Sequence, residues 1–311
     1  MGTRMDITKI SSRYTVRELN GADADAVLGL CRRNPQFYEY TEARPEIEQI
    51  RNDMRRTPPG VDPSSKYYLG FFDGPGLVAV MNLIDGYPEP KTAYIGFFMT
   101  DRPYQGKGVG TSIVSETAAF LGNAGKTAVR LAIDKGNPQS SRFWKKNGFE
   151  VLYETDVNGW TKLVAERSLT EKIIAACGND CAACPRYTAH PYEKTEDELR
   201  HAAELWQKIG YRDRTVSVRE ISCAGCRPEN FCRYHVAACC EDHGVGTCAE
   251  CPAYPCGNMQ ACFEVTRSFE PRCREVCTKE EYARMKKAFF EKKQNLDRLS
   301  AGKNPLPDTE E

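Results

Sequence analysis

Fourteen of the chain's 15 cysteines lie between Cys177 and Cys277, and the other is Cys31. A distribution this uneven means that the two halves of the 311 residues answer to different constraints. At about 150 residues per domain the length accommodates two domains. The first half has the residues for an ordinary apolar core, whereas the second is expected to need help in holding one. The opening stretch MGTRMDITKISSRYT has no apolar run of the kind that directs secretion. The sulfurs are therefore expected in a reducing cytoplasm, as metal thiolates rather than disulfides. The longest apolar run, GLVAVMNLI at 76–84, falls far short of the about 20 residues that a membrane span needs. Lys plus Arg and Asp plus Glu balance at 43 each, and from Thr170 onward 21 basic residues face 23 acidic ones. That balance excludes a strongly basic nucleic-acid footprint and leaves room only for a local patch. Neither nucleic acid nor a membrane is an expected partner, and the oligomeric state stays open.

Residues 1–168 read as alternating strands and helices. YTVREL (14–19) alternates like a half-buried strand, and GADADAVLGLCRRN follows at helical spacing. Arg44–Arg56 is helix-prone, and TPPG (57–60) ends it. Three extended stretches, 66–73, 76–87 and 91–100, are joined by turns short enough for antiparallel neighbours. Val109–Leu121 is expected to be an amphipathic helix, AVRLAID (128–134) a strand, and PQSSRFWKKNG (138–148) a helix stopped by glycine. FEVLYE and TKLVAE supply two more strands. Beyond 168, Glu196–Ile209 and Lys279–Leu299 have helical periodicity, and the tail 300–311 has a disordered composition. The expected division is therefore 1–168, 169–299 and the tail.

Between a strand and that amphipathic helix stands Gln105-Gly106-Lys107-Gly108-Val109-Gly110-Thr111. Glycines let a backbone approach a ligand closely, and the unpaired N–H groups opening a helix favour phosphate. Lys107 adds positive charge. The run has neither the spacing of G-x-G-x-x-G nor the ending of a P-loop, so a plain connector remains an alternative at this point.

YIGFFMTDRPYQGKGVGTSIV, followed by VRLAIDKGNPQSSRFWKKNGFEV, resembles the GNAT superfamily of acyl-CoA-dependent N-acetyltransferases. Its [Q/R]-x-x-G-x-[G/A] element is met by Gln105, Gly108 and Gly110. Its N-x-x-[AS]-x-x-[LF]-[YW]-x-x-x-G-F element is met by Asn137, Ser140, Phe143, Trp144, Gly148 and Phe149. The resemblance covers about residues 12–168. It implies an α+β layered fold with a mixed, mostly antiparallel sheet flanked by helices; the cysteine-rich second half is expected, from its own spacing, to form a small metal-stabilised domain of helices and loops. The resemblance implies acetyl-CoA as acyl donor, and a small-molecule amine or a protein amino group as acceptor. The enzyme would be an acyltransferase moving groups other than aminoacyl groups, without an acyl-enzyme. By the same resemblance, the backbone of Gln105 to Thr111 holds the pyrophosphate. Phe98, Met99 and Thr100 receive the pantetheine arm, and Asn137 touches the coenzyme farther along.

Direct transfer needs a neutral amine, an N–H donor for the developing oxyanion and a proton for the departing thiolate. The Met99 N–H is the candidate oxyanion donor. Many members of the family carry tyrosine as general acid where this chain has Trp144, whose indole cannot serve; packing is the better reading of Trp144. Glu39, Glu42, Asp85 and Glu89, with Tyr38, Tyr40 and Tyr87, lie in segments bordering the acceptor site in the family. Each reads equally as a solvated surface residue or sheet cover.

In the second half the spacing runs Cys177-x3-Cys181-x2-Cys184, Cys223-x2-Cys226-x5-Cys232, Cys239-Cys240, Cys248-x2-Cys251-x4-Cys256, then Cys262, Cys273 and Cys277. A C-x2-C pair can turn both thiolates onto one ion, each about 2.3 Å from zinc. Cys177, Cys181, Cys184, Cys223, Cys226, Cys232, Cys239, Cys248, Cys251 and Cys256 are the candidate zinc ligands. Cys240, Cys262, Cys273 and Cys277 read as structural or free. An iron–sulfur cluster is the alternative, because Cys184 and Cys251 each precede proline, but the full ferredoxin run is absent. His190, His201, His235 and His243 could replace a sulfur, the last two best because they flank Cys239. Cys181-Ala-Ala-Cys184-Pro-Arg-Tyr187 echoes Cys248-Ala-Glu-Cys251-Pro-Ala-Tyr254, which suggests one knuckle used twice. Residues 175–265 resemble an uncharacterised cysteine-rich domain of bacteria and archaea that begins CGxDCxxCP and ends CxxCPxxPC. Two alternatives to an enzyme with structural zinc remain. One is a metal- or redox-sensing binding protein whose first domain is subordinate to the second. The other is a coenzyme binder without turnover.

Overall fold

Alternation of apolar side chains with period two builds the first of two units, Met1–Thr170 and Glu171–Glu311. The computed structural model describes residues 4–41, 44–190, 192–228 and 232–301. Seven strands form one sheet: β1 (Thr15–Glu18), β2 (Lys66–Asp73), β3 (Gly76–Asp85), β4 (Thr92–Thr100), β5 (Ala128–Asp134), β6 (Glu150–Val157) and β7 (Trp160–Ser168). Their order is β1-β2-β3-β4-β5-β7-β6. Every neighbouring pair is antiparallel except β4 and β5. The helices of this unit are α1 (Ala24–Arg32), α2 (Ile47–Arg55), α3 (Val109–Asn123) and α4 (Pro138–Lys146).

The side chains of β2 and β3 show why helices cover both faces. Tyr67, Leu69 and Phe71 with Ala79, Met81 and Leu83 join Ile113, Val114 and Leu121 of α3 and Trp144 of α4 in one cluster. Tyr68 and Val80, from the opposite pleat, join Val27 and Leu30 of α1 and Ile50 and Met54 of α2 in another. Two-sided burial accounts for the near-continuous apolar reading of these strands.

One extra residue disturbs this order. Asn82 pairs with Phe97 but Leu83 pairs with Ile95, so Gly96 is a bulge. Ala93 and Ile95 face α3. Regular alternation would send Phe97 and Met99 there too. Past the bulge it is Phe98 that packs on the α3 side, while Phe97 and Met99 pack on the side of α1 and α2.

The second unit holds α5 (Glu196–Ile209), α6 (Val218–Ile221), α7 (Val236–Asp242), α8 (Gly257–Ser268), α9 (Glu270–Val276), α10 (Lys279–Met285) and α11 (Lys292–Ala301). It has more apolar core than its composition suggested. Leu199, Leu205, Trp206, Ile209, Ile221 and Met285 are all buried in one cluster, and Val236, Met259, Phe263 and Leu296 in a second. The expected helix over 279–299 is interrupted by a π turn at Lys286–Phe290. There the Ala288 carbonyl accepts the Asp180 N–H at 3.0 Å, a partner outside the helix. Opening a helix in this way frees a carbonyl for such a bond. Of the tail 300–311, residues 302–311 lie outside the described residues.

Candidate functional site

Pairing between β4 and β5 covers Thr92–Ile95 only. Beyond Ile95 the pairing with β5 ends, which leaves Phe97–Thr100 with an unpaired side, a gap, on that edge. Asp101 N–H donates to Val78 O at 2.8 Å, which fixes which peptide groups face which neighbour. Alternate residues of an antiparallel strand exchange both bonds with their opposite number. In the register Val80↔Met99, the Met99 amide therefore turns to β3. The amides of Phe98 and Thr100 turn to the gap. This corrects the expectation for Met99: its N–H is engaged in the sheet, and Phe98 supplies the outward donor.

The glycine turn sits at the end of this gap. Gly106 and Gly108 have φ of +73° and +79°, where side-chain-bearing residues are strained, and a Cβ at either would meet nothing within 4 Å. Conformation and open space, not crowding, demand glycine here. Gly110 differs: a Cβ there would stand 3.0 Å from Thr100 Oγ1 and 3.2 Å from Phe143. It lets the first turn of α3 press against β4 and α4. Gly108 caps α3 with no side-chain bond, so the leading N–H groups of Val109, Gly110 and Thr111 remain available. Lys107 is exposed beside them.

Gln105 anchors the turn. Its Nε2 donates to Thr100 O at 2.8 Å and to Asn34 Oδ1 at 2.5 Å. The Arg33 guanidinium holds the Asp101 carboxylate through Nε and Nη2, at 2.8 Å each. Asn34 and Arg33 were not foreseen, because they lie more than 60 residues before their partners. Asn137 is buried, and its side chain accepts the Ser140 N–H at 2.9 Å, capping α4. Trp144 packs among Phe98, Phe143 and Phe149 with centroids 4.9–5.9 Å away, a core position.

The acid–base candidates are scattered. Glu39 is exposed, Asp85 pairs with Lys126, and Tyr87 lies edge-on to Tyr94. Tyr38 is buried, and burial together with its hydrogen bond to the Cys31 thiol pushes its phenol far up. Glu42 lies outside the described residues. A cavity of about 460 Å³ lies in this unit, lined by Thr41, Arg44, Glu46 and Gln49 and by Val157, Asn158, Trp160 and Lys162 of the β6–β7 hairpin.

In the second unit both knuckles take one shape. Cys184 N–H donates to Cys181 O and Tyr187 N–H to Cys184 O; Cys251 N–H donates to Cys248 O and Tyr254 N–H to Cys251 O. All 15 cysteines are free thiols. Burial, then neighbouring thiols, push Cys181 up to about 12, and burial leads the rise of Cys226 to about 11. The thiols of Cys177, Cys184, Cys223 and Cys226 all act on Cys181. Cys240, read above as structural or free, stands 3.7 Å from the Cys248 sulfur. Two thiolates on one tetrahedral zinc stand about 3.8 Å apart, so this pair fits. Among the described residues, no group of three or more His, Cys, Asp or Glu side chains is arranged to hold a metal ion. Cys239 lies 3.8 Å from His243, whereas His190 and His201 pair with Glu193 and Glu281.

Comparison with known proteins bears on the two units separately. Residues 30–149 match the Acetyltransferase (GNAT) family. Residues 173–261 match a protein family of unknown function, DUF3795. An uncharacterised N-acetyltransferase of Methanocaldococcus jannaschii is 24% identical over 166 residues, which cover 51% of this chain and 70% of that protein. An acetyltransferase structure from Thermus thermophilus aligns with 21% identity and a TM-score of 0.42, over 50% of this chain and 96% of that one. The PaiA N-acetyltransferase of Thermoplasma acidophilum, solved with coenzyme A, aligns with 19% identity and a TM-score of 0.39, over 50% and 98%. No helix among the described residues is long and apolar enough to cross a membrane.

Proposed function

We propose that the first unit is an acetyl-CoA-dependent N-acetyltransferase that moves the acyl group directly from thioester to amine. The observation that carries this reading is a junction. The parallel pairing of β4 stops at Ile95, and the same strand then runs into a glycine turn and an uncapped helix. The gap accepts an extended arm along backbone groups, and the turn meets its diphosphate end with N–H donors and Lys107. The Phe98 N–H stabilises the oxyanion as the amine attacks the thioester carbon, and the thiolate leaves as coenzyme A. The amine must arrive neutral, and the proton its nitrogen loses on attack balances the one that the departing thiolate takes up. The acceptor is a small-molecule amine or a protein amino group. Incubation with acetyl-CoA and a panel of amines, following free thiol, tests the reading. Thiol release that depends on an amine supports it. Tight coenzyme binding with no turnover on any amine would leave a coenzyme-binding module instead.

For the second unit we propose structural zinc, supported by the doubled knuckle and by the Cys240–Cys248 spacing. Bound zinc would clamp these turns and favour the thiolate forms. A colourless protein that releases zinc to a chelator supports this assignment, whereas a brown one absorbing near about 400 nm holds iron and sulfur instead. Cys251→Ser is expected to lower the metal content and loosen this unit alone.

A further inference from the structure

Cys273 and Cys277 stand apart from the other thiols. They lie outside both knuckles, outside the ten candidate zinc ligands and outside the matched range 173–261. Their sulfurs are 3.5 Å apart. Cys273, inside α9, is fully buried, in the cluster that contains Trp206 and Ile209. Cys277 closes the same helix, is partly exposed, and has already left helical geometry, with φ −92° and ψ 149°. The other close pair, Cys240 and Cys248, is buried at both ends and offers a reagent no comparable access.

We propose that Cys273 and Cys277 are a redox-active dithiol, with Cys277 the attacking sulfur and Cys273 the resolving one, and that the oxidant is a hydroperoxide. The Cys277 thiolate attacks the outer peroxide oxygen; the O–O bond breaks, Cys277 becomes a sulfenic acid and hydroxide or alkoxide leaves with the electron pair. The Cys273 sulfur then displaces water from that sulfenic acid. One disulfide forms, two thiols are oxidised, and the peroxide is reduced to water and an alcohol, or to two waters. Cellular thiols reverse the change by exchange.

The surroundings suit these roles. The two sulfurs share a hydrogen bond in which either can donate; that bond holds Cys277 below the ordinary thiol range against burial and Glu281, and Lys208 adds to the lowering. The same bond, with Glu270 and Glu281 nearby, keeps Cys273 protonated. A reactive outer thiolate and a protected inner thiol are what a two-step oxidation needs. Helical i and i+4 positions hold their Cβ atoms about 5–6 Å apart, and a disulfide requires about 3.5–4.5 Å. Closure therefore distorts the last turn of α9, which Cys277 can absorb because the chain leaves the helix there.

The test uses the full-length protein as purified. It is treated with limiting hydrogen peroxide, alkylated without reduction and digested with trypsin. Cleavage after Arg272, Arg274 and Lys279 separates the two cysteines. The expected product is a disulfide joining peptides 273–274 and 275–279, lighter than their sum by two hydrogens and formed ahead of any other cysteine pair. Cys277→Ser should abolish it, and Cys273→Ala should leave a Cys277 sulfenic acid that dimedone traps. Since Cys273 is a core residue, the Cys277→Ser result decides if the alanine variant misfolds. Two outcomes overturn the proposal. In one, both cysteines stay fully alkylatable while other pairs oxidise. In the other, the pair reacts only after chelation, which would make it a metal-binding pair.

Discussion

Three helices of the second unit and the longest helix of the first begin in different ways. In the second unit α5, α6 and α10 each begin with a complete capping box, Thr195 with Glu198, Ser217 with Glu220 and Thr278 with Glu281. Such boxes satisfy donors that a short helix otherwise leaves bare. In the first unit α3, at 15 residues, begins on Gly108 with no side-chain cap at all. A sheet buried on both faces holds α3 in place without one. What α5, α6 and α10 close off with side chains, α3 leaves open at the point where an anion would dock.

Four experiments sharpen or break that contrast. The largest effect is expected from Trp206→Ala, which should cost the second unit about 3–5 kcal/mol while the first melts unchanged. A second transition that stayed put in calorimetry would mean that metal, not the apolar cluster, holds this unit. Next, Gly108→Asp should weaken coenzyme A binding at least about 100-fold by titration calorimetry, because it sets a carboxylate at an anion site and strains a left-handed residue. Unchanged affinity would refute the turn as the diphosphate site. Coenzyme A at about 100 times its dissociation constant should raise the stability of the first unit by about 2.7 kcal/mol and leave the second transition where it was. The smallest effect is Thr195→Ala, expected to cost about 1 kcal/mol and to be confined to the second unit.

Acid should tell on the second unit's caps as well. Hydrogen bonds from the Ser217 backbone and hydroxyl, with Arg214, hold the Glu220 carboxyl down to about 2. A depressed carboxylate stabilises the fold above its ordinary pKa of about 4.3, and that contribution is lost as pH falls through the folded value. A carboxyl resonance of Glu220 that titrated near the ordinary value would show the box open in solution.

Much of the first unit was legible because its rules are local. Two-residue alternation marked β1, near-continuous apolar runs marked β2 and β3, and a glycine stop marked the end of α4. The bulge was not legible, since Gly96 looks like any glycine in a strand until Asn82 and Leu83 reveal the shifted register. Arg33 and Asn34 were invisible for a related reason: they meet Asp101 and Gln105 only through the fold. In the second unit the Cys-x2-Cys spacing announced the knuckles but not their neighbours. Cys240 meets Cys248 because α7 turns it inward, a fact of packing that spacing does not carry. The π turn at 286–290 was likewise hidden in a stretch whose periodicity reads as one helix.

The bulge at Gly96 also separates two contributions that one residue makes. The ring of Phe98 packs against Phe143 and Trp144, while its peptide hydrogen points into the gap beside β5. Truncating the side chain would thin an aromatic wall and leave the hydrogen in place. A survey by alanine replacement would thus pass over the groups that matter most in this cleft, since they belong to peptide links and not to side chains. Proline at 98, or an ester bond in place of that amide, is the kind of change to which the cleft would answer.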